Sequence, residues 1–208
     1  MAASSRSKAV IEEHFPDGLP NTILCSDRLA AQLSTIKKGS QICLVHLLRD
    51  LNYLIEAEKT PWASDFKKLL KDAIDLKQKM ATYHKDDPKI LEIEQRTNQL
   101  LDLTILQSLE IDQEKHKQSI TFFKAMNKLR NALFPFLYDP RIPFDNNGSE
   151  RAIRNVKLKM KVSGQFKSLH QEFAIIRSVI DSAIKNGQSV FHAIQAMVEL
   201  PVCLKTAG

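Results

Sequence analysis

PFDNNGSERAIRNVKLKMKVSGQFK, residues 143–167, is the stretch on which the reading of this chain turns. Pro143 cannot continue a helix from upstream, and Asp145, Asn146, Asn147, Gly148 and Ser149 after it make a turn-and-cap signal. Glu150 then falls in the first turn of a new helix. From Arg151 to Gln171 the basic residues are Arg151, Arg154, Lys157, Lys159, Lys161 and Lys167, with no acid among them, an excess equal to the +6 of the whole chain. Projected as a helix, Glu150, Arg154, Lys157 and Lys161 form one stripe, and Ala152, Ile153, Val156 and Met160 form an apolar stripe opposite. One face is expected to be buried, while the other presents a carboxylate at the head of a row of cations. A solvated amphipathic helix with an acid near the positive end of its dipole has the same pattern. A lone carboxylate does not make a site.

Working outward, 208 residues suffice for one sizeable domain or a domain with a large insertion. With 43% hydrophobic and 26% charged residues the chain is globular, and 6 glycines and 8 prolines are few enough to favour helix. No stretch approaches the roughly 18 apolar residues of a membrane span. The opening MAASSRSKAVIEEHF lacks the apolar core of a secretory signal. Cys25, Cys43 and Cys203 are odd in number and scattered, which argues against a disulfide framework and for a reducing cytoplasm. A sequence pI near 9.2 suits a polyanionic partner.

Taken in order, residues 5–14 read as a short helix ending before Pro16, and PDGLPN as a loop. Thr22-Ile23-Leu24-Cys25 reads as a buried strand, followed by a helix from Arg28 to Lys37. Asp27 lies between the two. It is either an N-cap worth about 1 kcal/mol or a carboxylate displayed at the C-terminal edge of a parallel sheet, where α/β folds place their sites. KKGSQ reads as a turn and Ile42–Val45 as a second strand, parallel to the first across a right-handed crossover. His46–Glu58 reads as a helix with Leu47, Leu48, Leu51, Leu54 and Ile55 inside. Cys43 and His46 share a metal-ligand spacing, but no second Cys/His pair stands nearby, and a packed strand end is the better reading. From Pro61 to Pro135 the pattern is helical throughout: one helix up to Met80, a break from Tyr83 to Pro88, a long helix from Pro88 through Leu109, and a third ending before Pro135. These read as bundle helices that carry no chemistry. Beyond the focal helix, Glu172–Asn186 is amphipathic and stopped by Gly187, and Ser189–Glu199 is a last helix with Val190, Ala193, Ile194 and Met197 inside.

Asp27 and Glu150 are the two carboxylates that stand out. Carboxylate oxygens suit Mg²⁺ or Mn²⁺, and two such ions about 3.5–4 Å apart serve phosphoryl transfer, with a cationic stripe to hold the phosphate backbone. DNNGSERAIRNVK, with SGQFKS and FAIIRSVIDSAIKNGQ after it, resembles the C-terminal catalytic segment of insertion sequence 66 family transposases, which are of the DDE class. ILCSDRLAAQL resembles that family's second-aspartate segment, and QICLVHLLRDLNYL resembles its following C-x-x-H-x-x-R-D-L stretch. The resemblance implies a ribonuclease-H-like α/β catalytic domain with an all-helical insertion, here seen as a mostly α chain with a small parallel β element. It implies Asp27 as the second metal ligand and Glu150 as the third, with Mg²⁺ or Mn²⁺ bound. Arg151 and Arg154 match motif positions. Lys157, Lys159, Lys161 and Lys167 are assigned to DNA from charge and helical phase.

The same resemblance divides the chain into 1–60, a partial ribonuclease-H-like βαβα segment; 61–135, the helical insertion; and 136–208, the helices with Glu150 and the basic face. The family's first aspartate lies well upstream of the second, on a strand that the residues before Thr22 do not hold, and Asp17 sits in a Pro/Gly loop. The expectation is therefore the C-terminal part of a transposase, from a truncated frame or a fragment, in the bacterial cytoplasm with the nucleoid and away from membranes. Its expected partners are transposon-end and target DNA, the N-terminal transposase segment, and other transposase copies, including a homo-oligomer. Its expected chemistry is metal-dependent strand cleavage and transfer, absent in this chain alone. The alternative is a non-catalytic DNA-binding or interaction module.

Overall fold

The computed structural model describes residues 7–80, 86–163 and 170–199, with side chains left out at 155–156, 159–163 and 170–171. It divides into two compact units, one spanning Ser7–Asn146 and one beginning at Asn147. The architecture is mostly helical, with a two-stranded parallel sheet.

The first unit opens with α1 (Lys8–His14) and β1 (Leu19–Ser26). Gly18 has φ +70°, and a Cβ there would lie 2.6 Å from the Ile36 carbonyl oxygen, so only glycine lets the chain pass this close. The strand therefore begins three residues earlier than its apolar run, and a register irregularity between Leu19 and Ile23 accommodates Pro20, which has no N–H for a ladder. The expected helix from Arg28 contracts to α2 (Ala30–Leu33). Its end is fixed by Thr35 Oγ1 donating to Ala31 O (2.8 Å) and by the Lys37 ammonium donating to the carbonyls of Gln32, Leu33 and Thr35 (3.0, 2.6 and 3.0 Å).

The second strand, β2, is Lys37–Ile42 and not Ile42–Val45; it pairs in parallel with β1, Cys25 opposite Gln41. Apolar runs misplace it because its buried anchor is polar. Gln41 Nε2 donates to Leu133 O (3.0 Å) and Ile42 O (2.8 Å), and Oε1 accepts from Phe136 N (3.1 Å). A fully satisfied amide is tolerated in a core where an unpaired one would cost kilocalories.

The α3 helix (Leu44–Ala57) buries Leu44, Leu47, Leu51 and Leu54, and α4 (Pro61–Lys79) packs Trp62, Phe66, Leu69, Leu70 and Ala73 against it. The long helix expected from Pro88 is two, α5 (Pro88–Leu100) and α6 (Leu103–Glu110). The break holds because other side chains take the orphan carbonyls at the end of α5. Trp62 Nε1 donates to Leu100 O (2.7 Å) and Arg130 Nη2 to Leu101 O (3.2 Å), while Asp102 accepts from Thr104 N (2.8 Å) to start α6.

Next come α7 (Lys117–Lys128) and two 3₁₀ turns, Arg130–Ala132 and Pro135–Leu137. The N-terminus of α7 is capped from a distance: the Glu58 carboxylate accepts from Gln118 N (2.8 Å) and Ser119 N (2.9 Å). One apolar core, from Ile42 to Ile142, joins β2, α3 and all these helices, each buried large side chain contributing about 1.5–3 kcal/mol.

The second unit comprises α8 (Asn147–Ser163), α9 (His170–Lys185) and α10 (Val190–Glu199). Gly187 has φ +65° and closes α9 as expected, with Gln188 N donating back to Ala183 O (2.8 Å). Its apolar faces are more open than periodicity implies. Ile153 and Ile194, on faces expected to be buried, are exposed, as are Ile176 and Ile184 of the amphipathic α9, and among the described side chains Ala183 is the buried hydrophobic residue.

Candidate functional site

Asp27 follows the last residue of β1, at the C-terminal edge of the parallel pair. It is exposed, and among the described residues its carboxylate has no hydrogen-bond or ion-pair partner. The N-cap reading is not what the fold uses, because the residue capping α2 is Leu29 and no side chain bonds there. Ser26 Oγ, one residue earlier, is buried and also lacks a partner.

Arg28 is the unusual residue beside it. Its φ of +72° is a left-handed conformation that costs a non-glycine residue about 1–2 kcal/mol. Its guanidinium pairs with Asp50 of α3 and lies 5.6 Å from the ring centroid of Phe122 of α7. A cleft of about 1040 Å³ opens beside Asp27, and Lys38, Ser40, Lys128 and Asn131 are among its lining residues.

The segment leading toward Glu150 is fastened to the same strand end, within the first unit. The Cys25 thiol donates to Asp145 O (3.2 Å) and more distantly to Pro143 O (3.8 Å), and Leu44 N donates to Phe144 O (2.8 Å). Burial, then the charges of Cys43 and Asp145, pushes the Cys25 thiol up from its ordinary 9.0 to about 12, so it stays a donor. Upstream, the Lys77 ammonium donates to the carbonyls of Phe136, Asp139, Pro140 and Ile142 (3.0, 3.4, 3.2 and 3.1 Å). The Arg141 guanidinium, bonded to Asp139 through Nε (3.0 Å) and Nη2 (2.7 Å), holds that carboxyl down at about 2.

Glu150 stands in the first turn of α8, as expected. That helix starts at Asn147, so Gly148 and Ser149 belong to its first turn and not to a preceding loop. Arg151, Arg154 and Lys157 are exposed on it, and Arg151 Nε donates to Asn147 O (3.4 Å). The side chains of Lys159 and Lys161 and the whole of Lys167 lie outside the described residues. Asp27 belongs to the first unit and Glu150 to the second.

Among the described residues, no group of three or more His, Cys, Asp or Glu could hold a metal ion. Cys43 is fully buried at the start of α3, where its N–H continues the ladder to Ser26 O (2.8 Å), which agrees with a packed strand end. At Asp27 the cleft offers one carboxylate, a ligand type that hard cations take, together with Ser34, Ser40 and Asn131 and the cations Arg28, Lys38 and Lys128. Mg²⁺ is commonly held by one or two carboxylates together with substrate phosphates and water. Arg28, Asp50, Lys77 and Cys25 escaped the reading of the sequence, and Asp50 alone carried a local signal, as part of the R-D-L run at 49–51.

The sequence pattern of the Transposase IS66 family matches residues 1–172, which takes in Asp27, its cleft, the Cys25 and Lys77 fastenings and Glu150. The protein is thus of the transposase class, acting in DNA transposition. The chain belongs to the IS66 family of transposases. The stretch Phe173–Gln188 lies beyond the match. No curated protein and no solved structure matches the chain. No helix among the described residues is long and apolar enough to cross a membrane.

Proposed function

We propose that Asp27 and Glu150 are two carboxylates of one divalent-metal site, on a ribonuclease-H-like core, for DNA strand cleavage and transfer at transposon ends. The observation that carries the reading is the fastening of Pro143–Asp145 to the end of β1 by Cys25 and to the start of α3 by Leu44. Asp27 is two residues past Cys25, and Glu150 is five residues past Asp145. Both carboxylates thus stand within five residues, along the chain, of one hydrogen-bonded fastening, and that short covalent spacing supports the reading.

In this reading Asp27 and Glu150 hold the ion, Mg²⁺ or Mn²⁺, through carboxylate oxygens. Bound there, it would supply Lewis-acid stabilisation of the phosphoryl oxygens and of the attacking hydroxyl. Arg151, Arg154 and Lys157, with Lys159, Lys161 and Lys167, hold the DNA backbone by charge. By the family resemblance a third carboxylate completes the set. Asp17 lies in the turn before β1 and is a poor candidate for it. The chain alone is therefore expected to bind the ion and DNA without cutting.

Titration of the purified chain with Mn²⁺, read by loss of the free-ion paramagnetic signal, tests the site. Asp27→Asn and Glu150→Gln should each weaken binding at least tenfold; wild-type affinity in both would sink the reading. Strand cleavage by the chain alone on a transposon-end duplex, abolished by Glu150→Gln, would retain the site and refute the inactivity. A second reading, a DNA-binding module without catalysis, draws on Arg154 and Lys157, which are exposed and have no partner among the described residues. It requires salt-sensitive duplex binding that falls on replacing Arg154, Lys157 and Lys161 and ignores both Mn²⁺ and Glu150.

A further inference from the structure

We infer that Arg28 and Asp50 are positioning residues for Asp27, and that Phe122 of the helical segment is the platform on which they work. The inference rests on the reading of Asp27 as a metal ligand. It begins from the left-handed backbone of Arg28, φ +72°, immediately after Asp27. A non-glycine residue keeps such a conformation where its surroundings over-determine it, and strained positions of this kind gather at functional sites.

What over-determines Arg28 is visible on both sides of its guanidinium. Asp50 of α3 pairs with it, and the Phe122 ring of α7 lies under it, 5.6 Å to the centroid. Phe122 is itself locked, with ring centroids 6.2 Å from Trp62 and 6.3 Å from Phe66 in edge contacts. Arg28 lines both the cleft beside Asp27 and a second cleft of about 540 Å³ bounded by Asp50, Tyr53 and Phe122. Its guanidinium is thus held at α3 and α7, by Asp50 and Phe122. The carboxylate of Asp27 is left in its own cleft without a partner among the described residues.

The pair is part-exposed, with side-chain exposures of 24% for Arg28 and 41% for Asp50. Such a pair contributes little to stability. Its service is orientation. The backbone turn at Arg28 sets the direction in which Asp27 leaves the strand, and the anchor at Asp50 holds that turn. The R-D-L run and the helices assigned no chemistry both acquire a role through this contact.

Charge alone and positioning make opposite forecasts for Arg28→Gly, and that variant decides the experiment. Mn²⁺ binding is measured by the free-ion paramagnetic signal for the wild-type chain, Arg28→Gly, Asp50→Asn, their double variant and Asp27→Asn. Glycine accepts the left-handed turn without strain but removes the anchor. Loss of a nearby cation should tighten Mn²⁺ if charge were all that mattered, and loss of a carboxylate should loosen it. Positioning predicts that both single variants lose about 10–100-fold, the range seen when outer partners of metal ligands are removed. The double variant should then be no weaker than the worse single one. Circular dichroism melts check that the variants remain folded. Tighter or unchanged binding in Arg28→Gly, with Asp27→Asn still abolishing it, overturns the positioning role and leaves the metal reading standing. Unchanged binding in Asp27→Asn overturns both.

Discussion

At the scale of single residues, the protein uses polar side chains as fasteners in places where their type alone would suggest a loop or a reactive group. Cys25 is the clearest case. Half-buried beside the carbonyl of Asp145, its thiol is worth more protonated than ionised, and its ordinary 9.0 rises to about 12. The raised value fixes the sign of its pH effect. The contribution is fully present below pH 9, where the unfolded thiol is also protonated, and is lost as pH climbs from 9 through 12. The same shift makes Cys25 a poor nucleophile. At pH 8 its thiolate fraction is roughly a thousandfold below that of an ordinary thiol. Iodoacetamide labelling of the Cys25 peptide, followed by mass spectrometry, should therefore run at least about a hundredfold slower in the native chain than in urea. Equal rates would mean that the thiol is not held. Nothing local in ILCSD announced this, because the acceptor lies 120 positions away.

At the scale of elements, what could be read depended on whether the deciding contact was local. Pro143 and the run Asp145–Ser149 signal the start of α8, and Glu150 indeed falls in its first turn. Gly187 signals the end of α9 by the backbone conformation it permits. The parallel pairing of β1 and β2 followed from two short apolar runs with a crossover between them. The position of β2 did not, since Gln41 is buried on contacts to Leu133 and Phe136, more than ninety residues away. The split between α5 and α6 was equally hidden, because apolar spacing continues across Leu101 while Trp62 and Arg130 supply the carbonyl partners. Asp102 with Thr104 two residues on was the available local clue. Gln41 therefore offers a test of how β2 is joined to the 3₁₀ turns. Gln41→Leu preserves volume but leaves Leu133 O and Phe136 N buried without partners. A loss of about 2–4 kcal/mol is expected in urea unfolding, with an unchanged m-value. A cost under about 0.5 kcal/mol would show that the turns hold their place without it.

At the scale of the whole molecule, the two units differ in the thing that stabilises a fold, which is buried apolar surface. The first holds a continuous core from Ile42 to Ile142, including Phe66, Phe123 and Phe136 with no exposed surface. The second leaves Ile184 59%, Phe191 73% and Val198 79% exposed. Its helices pack pairwise along α8–α9 and α9–α10, and helices draw most of their stability from packing an apolar face, which the described side chains here bury little. A chain cut to residues 7–146 should therefore fold by itself, with one cooperative thermal transition by circular dichroism. A chain of 147–208 alone should lose helicity gradually on heating. The functional consequence follows from where the carboxylates lie. The 7–146 piece keeps Asp27, Arg28, Asp50 and Phe122 but not Glu150, so it should bind Mn²⁺ as weakly as the full chain carrying Glu150→Gln. If it bound as tightly as the intact chain, Glu150 would have no part in holding the ion. If it failed to melt cooperatively, the core from Ile42 to Ile142 would need the helices after Asn147 to be complete.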